Sequence, residues 1–318
     1  MEIDLPPLLA KRPVDSAAFP PPPAPSGALS PPNNSWIGGA FTALVTPFEH
    51  DRIAKKAFAD LIAWQIEEGA RGLITGGAIG EASTLSPQER VKLVEIAVET
   101  AAGRAPVIAA TGTNCTATTI ALTRAAQAAG ATAALGVAPY YSRPGQEGLF
   151  QHFRALAGAV SLPLLLENDP ARTAIDILPG TLARLAALPN IIGLADWSDG
   201  AFRSDAPALP QPFFRLSCQD FAATPRRIST LANLAPRLIA DWGRATESAD
   251  RPRAAALRTP MESLSGALRL EDGPGPIKYA LSLLRPGFKP HMRLPLVAIR
   301  YETASAIVAA LSEADLLR

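Results

Sequence analysis

The chain has 318 residues, of which 48% are hydrophobic, so it can form one large α/β domain with an appendage or two domains. Its formal net charge of +1 indicates neither a nucleic-acid partner nor an anionic membrane surface, and its two cysteines exclude a disulfide framework and a cysteine-rich zinc site. The sequence has no run of about 18 apolar residues that would predict a transmembrane helix, and the N-terminal MEIDLPP lacks the bases and apolar core of a signal peptide, which favours a cytoplasmic protein.

The first 35 residues differ from the rest of the chain. Prolines crowd residues 19–32 (FPPPPAPSGALSPP), where large apolar residues are few. This composition predicts a disordered or polyproline II arm, and the alternative is a proline-rich motif that binds a partner. The pattern becomes regular at Trp36, so we place the first domain boundary between residues 35 and 36.

Short apolar segments alternate with amphipathic ones from residue 36 to residue 245. This alternation is typical of a parallel sheet covered by helices, and eight units favour a closed (β/α)8 TIM barrel over an open sheet. Residues 246–318 read as purely helical and predict a small C-terminal helical region. The segments predicted as strands are residues 41–48, 72–75, 106–111, 133–138, 162–166, 191–195, 213–218 and 228–232.

The stretch from Gly72 to Glu89 reads as strand, glycine loop and helix. The helix start is marked by Ser86 as N-cap and by Glu89 three residues later, the pattern of a capping box. Glu81 lies on the loop, and in parallel α/β folds such loops at the carboxyl ends of strands bind ligands. The alternative is a glycine turn that only connects two elements.

The connection between the seventh and eighth predicted strands is unusually short. Only Gln219 to Arg227 lie between them, and Pro225 falls inside this segment. Proline disfavours a helix interior, so the sequence leaves little room for a seventh barrel helix.

Four segments together resemble one family. They are GGAIGEASTL (residues 76–85), PYYSRPGQEGLFQHF (139–153), ENDPART (167–173) and IIGLAD (191–196), in the order and spacing of the dihydrodipicolinate synthase / N-acetylneuraminate lyase family. The resemblance implies a TIM barrel with a C-terminal helical domain, usually assembled as a tetramer of tight dimers. It also implies class I aldolase or lyase chemistry without a cofactor, through a Schiff base between a strand-six lysine and pyruvate or another 2-keto acid.

The positions that carry this chemistry in the family differ here. The Schiff-base lysine position is Ala195, and the position of the proton-relay tyrosine is Glu167. The two threonines of the family's glycine loop are replaced by Ala78 and Ile79. A methyl group cannot replace an amine nucleophile. No lysine of the chain falls at the carboxyl end of a predicted strand; the lysines are Lys11, Lys55, Lys56, Lys92, Lys278 and Lys289.

Other positions of the family pattern are retained. Gly80 and Glu81 keep the end of the glycine loop, and Arg172 occupies the position that binds a substrate carboxylate in many members. Tyr141 matches a tyrosine that crosses the tight dimer interface, and Ile228 matches a pocket-lining position on strand eight. The resemblance therefore implies that these five residues are ligand-binding, that a small carboxylate or 2-keto acid is a candidate ligand, and that the chain forms a homodimer or homotetramer.

Two charged residues near the ends of predicted strands, Arg172 and Glu167, each have more than one interpretation. The Arg172 guanidinium can hold a ligand carboxylate in a bidentate fork, or it can form a structural ion pair with Glu167 or Asp169. Glu167 can act as a general base if it is buried, or as the partner in that pair. A magnesium or manganese site made by Glu167, Asp196 and Asp220 is a further alternative, although in the family the acid after the lysine points away from the barrel interior.

Two hypotheses for function follow. In the first, the chain is a family member without Schiff-base activity, acting as a binding or regulatory subunit or as a degenerate paralogue, a pseudoenzyme. In the second, it is an enzyme with different chemistry on a small carboxylate, using Glu167 and Arg172 and a metal ion if one is bound.

Overall fold

Eight parallel strands form a closed barrel within the residues that the computed structural model describes, which are 36–198, 209, 210, 212–221, 224 and 226–317. The barrel closes because the eighth strand pairs with both the first and the seventh. The predicted TIM barrel is thus confirmed, and the predicted proline-rich arm lies outside the described residues. The strands are β1 (Ala40–Ala43), β2 (Gly72–Thr75), β3 (Val107–Ala110), β4 (Ala133–Val137), β5 (Leu164–Asn168), β6 (Ile191–Asp196), β7 (Phe214–Ser217) and β8 (Arg227–Ser229).

Helices pack on the outer face of the barrel, and the best-defined helix start follows a local sequence signal. Ser86 caps its helix as predicted, because its Oγ accepts a hydrogen bond from the Glu89 N–H at 3.2 Å while the Glu89 carboxylate accepts one from the Ser86 N–H at 2.9 Å. The helices of this layer are α1 (Lys55–Glu67), α2 (Pro87–Ala101), α3 (Thr116–Ala128), α4 (Gln146–Ala159), α5 (Pro179–Ala186) and α6 (Pro236–Glu247).

Several strand boundaries differ from the prediction, and two of these differences involve a proline. The predicted strand 41–48 ends at Ala43, and Phe48–Glu49 instead pairs antiparallel with Arg52–Ile53 in a separate hairpin. Pro47 has no N–H to donate to a barrel ladder. The predicted strand 162–166 begins only after Pro163 and extends to residue 168, which places residue 167 inside β5.

The connection from β7 to β8 is short, as predicted, and contains no helix in its described part. A buried arginine packs beside it. Arg227 donates hydrogen bonds to the carbonyl oxygens of Asp220, at 3.2 Å, and Thr224, and its guanidinium lies 3.7 Å from the ring centroid of Trp242. Burial lowers the pKa of Arg227 to about 10. A cation held by carbonyls and an indole face therefore packs in this part of the barrel.

The C-terminal region is helical except for one long irregular segment. Its helices are α7 (Arg251–Leu268), α8 (Gly275–Leu284) and α9 (Tyr301–Glu313). The prediction of a purely helical region was wrong for residues 285–300, where three prolines interrupt the chain and proline both removes a backbone donor and clashes with the preceding turn. None of the helices in the described ranges is long and apolar enough to cross a membrane.

One apolar cluster contains residues from all eight strands and therefore fills the barrel interior. Its members include Phe41, Leu165, Leu216 and Ile228, all at most 2% exposed. Successive residues of a strand face opposite sides of a sheet, so the alternate residues of each strand pack outwards against the helices. This alternation decides which side chains face the barrel interior.

Candidate functional site

The carboxyl ends of the barrel strands form one open end, which we call the barrel mouth and where TIM-barrel enzymes carry their active sites. Ala195 lies on β6 at the level of Glu167 on β5 and Leu216 on β7. Its side chain is fully buried in the interior apolar cluster. The position that corresponds to the family's Schiff-base lysine therefore faces the inside of the barrel, and its side chain is only a methyl group.

Glu167 is an acidic side chain that faces the same interior, two residues beyond Leu165. Its carboxylate accepts a hydrogen bond from the indole Nε1 of Trp197 at 2.8 Å. Burial raises the pKa of Glu167 to about 7, and the indole hydrogen bond acts in the opposite direction. The mouth thus contains a carboxyl group that changes its charge near neutral pH.

Arg172 forms ion pairs with two aspartates. Among the described residues, it forms no ion pair with Glu167. Its Nε lies 3.2 Å from the Asp169 carboxylate, and one terminal nitrogen lies 2.7 Å from the Asp272 carboxylate. Asp169 is buried and Asp272 is 81% exposed at its side chain. The alternative of a structural pair with Asp169 is therefore what the geometry shows, with Asp272 as a second partner.

Asp196 belongs to the outer face of β6, because Ala195 next to it faces inwards. One of its carboxylate oxygens accepts hydrogen bonds from the Ser198 N–H at 2.8 Å and from the Asn168 side-chain amide at 3.3 Å. Asp220 accepts a hydrogen bond from the Ser265 hydroxyl at 2.6 Å. Glu167, Asp196 and Asp220 are not brought together as metal ligands, so the alternative metal site was wrong. Among the described residues, no group of three or more His, Cys, Asp or Glu side chains is arranged to hold a metal ion.

The glycine loop after β2 is closely packed and apolar where the family pattern has hydroxyls. Ala78 is exposed and Ile79 is buried in the core. Gly80 accepts a hydrogen bond at its carbonyl from the Thr46 hydroxyl at 2.7 Å, and a Cβ at Gly80 would lie 3.1 Å from the Leu44 carbonyl oxygen. Glycine at this position therefore permits the close backbone approach that shapes the loop.

Glu81 directs its carboxylate away from solvent into a fully buried ion pair with Lys278 of α8. The Arg293 N–H also donates to this carboxylate at 3.2 Å, and the Lys278 ammonium donates to the His291 carbonyl at 2.7 Å. Burial lowers the pKa of Lys278 to about 8, against the opposing effect of Glu81. The described contacts of Glu81 therefore hold the C-terminal region to the glycine loop.

A second set of contacts also joins the C-terminal region to the glycine loop and its helix. The Arg293 guanidinium donates two hydrogen bonds to the Glu89 carboxylate, at 2.6 and 2.9 Å. This pairing is the largest cause that lowers the pKa of Glu89 to about 2. Lys278 and Arg293 also lie 4.4 and 4.5 Å from the ring centroid of Phe48. Residues from three distant parts of the sequence thus converge beneath the glycine loop.

Comparisons with known proteins identify a family to which both the sequence and the barrel fold are similar. The sequence model of the dihydrodipicolinate synthetase family matches residues 37–206. The 4-hydroxy-tetrahydrodipicolinate synthase of Rhodospirillum centenum is 42% identical over 288 residues, which cover 88% of this chain and 99% of the relative. The chain belongs to the dihydrodipicolinate synthetase family.

Other family members extend this similarity to three dimensions. The 4-hydroxy-tetrahydrodipicolinate synthase of Sphingopyxis alaskensis is 40% identical over 290 residues, 88% of this chain and all of the relative. The chloride-inhibited dihydrodipicolinate synthase of Acinetobacter baumannii, solved in complex with pyruvate, superposes with a TM-score of 0.84 at 36% identity. That alignment covers 88% of this chain and 100% of the other. The family fold therefore spans both the barrel and the C-terminal region.

Ile228 and Tyr141, the two remaining positions of the family pattern, lie on β8 and on the loop after β4. Ile228 is buried on β8 inside the barrel. Tyr140 and Tyr141 follow β4, and Tyr141 is 92% exposed with a positive φ of 68°. Cys218 after β7 is buried, and burial together with nearby carboxylates raises its pKa well above the usual value. This family member therefore has a buried thiol after β7 and presents a tyrosine to solvent.

Sequence reasoning missed three residues that determine the properties of this family member's site. Trp197 had a usable signal, because it lies two residues after Ala195, the spacing at which side chains of an extended chain point to the same side. Lys278 and Asp272 had no such signal in the sequence. Lys278 pairs with Glu81 across 197 residues of chain, and Asp272 pairs with Arg172 across 100 residues. Contacts of such sequence separation follow from the packing of the C-terminal region on the barrel.

Proposed function

We propose that this family member has lost Schiff-base aldolase activity and uses its barrel mouth to bind a small ligand, as a binding or regulatory subunit or as a degenerate paralogue. The observation that carries the proposal is Ala195 on the inner face of β6, beside Glu167 and Leu216. An imine forms only with an amine nucleophile, and alanine supplies none.

The lysines of the described chain do not compensate for Ala195. Lys278 is fully buried, and its ammonium group is occupied by Glu81 and by the His291 carbonyl. The other described lysines belong to α1, α2 and the segment after α8, with at least part of each residue in solvent; they are Lys55, Lys56, Lys92 and Lys289. None of these four lies on a barrel strand, so no lysine in the described part of the chain places an amine at the mouth to attack a 2-keto acid.

A small carboxylate or 2-keto acid is the proposed ligand, with Arg172 as its partner. The Arg172 side chain is 41% exposed, and its bond to Asp272 joins two solvent-accessible groups. Such ion pairs contribute about 0–1 kcal/mol, so a ligand carboxylate can displace Asp272 at little cost. The Asp169 carboxylate, which is buried, would continue to hold the guanidinium in place.

The second candidate function is acid–base chemistry on a small carboxylate at the same mouth. The observation that favours it is the pKa of about 7 that burial gives Glu167, because a general acid or base is most effective when its pKa lies near the working pH. The two candidates differ in their response to Glu167→Gln. An enzyme would lose its turnover, whereas a binding protein would retain its ligand through Arg172.

We expect that pyruvate does not form a trapped imine with this protein. Incubation with pyruvate and borohydride, followed by mass spectrometry of the intact chain, should show no stoichiometric adduct, because the nucleophile position is Ala195. A family enzyme with the strand-six lysine, treated in parallel, is the positive control. Peptide mapping separates scattered reaction of surface lysines from a specific site. A stoichiometric adduct within residues 36–245 would overturn the loss of Schiff-base chemistry.

A homodimer or homotetramer is the proposed assembly, with the loop after β4 at its interface. Tyr141 exposes almost its whole side chain in the isolated chain, and a neighbouring copy would remove that apolar surface from water. Light scattering at micromolar concentration should give at least twice the mass of the chain. Tyr141→Ser should shift the equilibrium towards monomer, whereas Tyr301→Ser, at a tyrosine that is 82% exposed elsewhere, should not. A monomeric unsubstituted protein would contradict this assembly.

A further inference from the structure

A second cleft lies away from the residues that face the barrel interior. It opens between the hairpin at residues 48–53, the first turn of α1 and the segment 285–289 that follows α8. Its volume is about 970 Å³. Sites for small molecules and cofactors typically occupy about 300–1,000 Å³, so this hairpin cleft is large enough for a ligand the size of a nucleotide.

The walls of the hairpin cleft have a strong excess of positive charge. Five cationic side chains line it, and the two carboxylates among its lining residues do not balance them. The whole chain has a formal net charge of only +1, so this excess is a local feature. A cleft lined by one sign of charge focuses its field and raises the local concentration of counter-ions. The cations are Arg52, Lys55, Lys56, Arg285 and Lys289, and the carboxylates are Glu49 and Asp60.

Only part of this charge is neutralised by a neighbouring side chain. Lys56 forms an ion pair with Asp60 at 2.7 Å, in which both side chains are more than half exposed. Arg285 lies 4.3 Å from the ring centroid of Trp64, which holds the guanidinium on an indole face without neutralising it. Within the described residues, one of the five cations is therefore held in an ion pair.

The N-terminus of α1 opens into the same cleft. Its N-cap residue is Ala54, which has no side-chain acceptor, and its first turn has no acidic residue but begins with Lys55 and Lys56. Cations are unfavourable at the positive end of a helix dipole. By contrast, α2 begins with Ser86 in a capping box. A bound anion would compensate both the uncapped helix end and the two lysines, as anions do at helix N-termini.

We propose that the hairpin cleft binds a small molecule with two or more linked phosphate groups. A single carboxylate would neutralise only one of the five cations, whereas linked phosphates present several charges and acceptor oxygens within a few ångströms of one another. Arginine and lysine both suit phosphate, the first through its planar fork and the second as a compact charge. This assignment is independent of the ligand proposed for the barrel mouth.

Calorimetric titration of the full chain with inorganic tripolyphosphate tests the proposal. The expected result is saturable binding of one tripolyphosphate per chain, which weakens as salt rises because exposed charges are screened. Orthophosphate should bind far more weakly. The double variant Lys55→Gln/Lys289→Gln should weaken binding about tenfold or more, the effect of losing one or two charge-assisted hydrogen bonds. Both lysines are exposed, so the variant should fold, which its circular dichroism spectrum and melting curve check.

Matched controls make the result specific to the cleft. Lys92→Gln removes a lysine of α2 that lies outside the cleft and pairs with Glu95, and it should leave binding within about twofold. Equal weakening by Lys92→Gln would show diffuse electrostatic attraction and overturn the site. Tighter binding of hexaglutamate than of tripolyphosphate would overturn it in favour of an acidic peptide. No detectable binding of tripolyphosphate at millimolar concentration would overturn it outright.

Discussion

Lys278→Met is expected to lower the free energy of unfolding by about 3–5 kcal/mol, the cost of breaking a buried ion pair by removing one partner. Lys278 and Glu81 are both fully buried, so the variant would leave the Glu81 carboxylate enclosed without its cation. It would also remove the hydrogen bond from the ammonium to the His291 carbonyl. Equilibrium denaturation in urea measures the change.

Two further variants make this stability prediction selective. Lys92→Met breaks an exposed pair with Glu95 and should cost less than about 1 kcal/mol. The double variant Glu81→Gln/Lys278→Met should recover part of the loss, because no charge then stays buried without a partner. A loss below about 1 kcal/mol for Lys278→Met alone would show that the junction beneath the glycine loop does not depend on this pair.

Glu167 is expected to make the folded protein less stable as the pH rises from about 4.5 to about 8. Burial raises the pKa of its carboxyl from near 4.5 to about 7, so the folded state prefers the protonated acid. The contribution of the protonated Glu167 to the free energy of unfolding is fully present below pH 4.5 and is lost as the pH rises through 7. A shift of this size corresponds to about 3 kcal/mol, at 1.36 kcal/mol for each pKa unit.

The comparison with Glu167→Gln isolates this contribution. Burial also raises the pKa of Asp169 and Asp220, whereas it lowers the pKa of His152 to about 4, so the pH profile of one protein alone combines several groups. Urea denaturation of both proteins at a series of pH values gives the difference between their free energies of unfolding. That difference should change by about 3 kcal/mol across the interval. Parallel profiles would show that Glu167 is not held in a desolvated position.

The glycine loop and its helix illustrate which features the sequence predicts well. The strand 72–75 and the capping box of Ser86 and Glu89 agree with the structure residue by residue. Both depend on interactions within a few residues of chain. The end of β1 and the irregular segment 285–300 were predicted less well, because prolines interrupt stretches whose apolar content resembles that of a strand or a helix.

The charged residues of the mouth illustrate the opposite case. The sequence left two partners open for Arg172, and the structure pairs it with Asp169 and also with Asp272 of the C-terminal region. The residue type of Glu167 was evident, but its pKa depends on how completely the strands and Trp197 exclude water around it. Neither the partner of an ion pair nor the depth of burial is encoded within a local window.

By itself, the sequence determined the alternating strands and helices, the family resemblance and the alanine at the lysine position, since each depends on residue identity and short-range spacing. Only the tertiary structure decided that Ala195 faces the barrel interior, that Glu81 pairs with Lys278, and that five cations converge around the hairpin cleft. These features join residues far apart in sequence. Their energies depend on distance and on the exclusion of water, and both are set when the barrel closes and the C-terminal region packs against it.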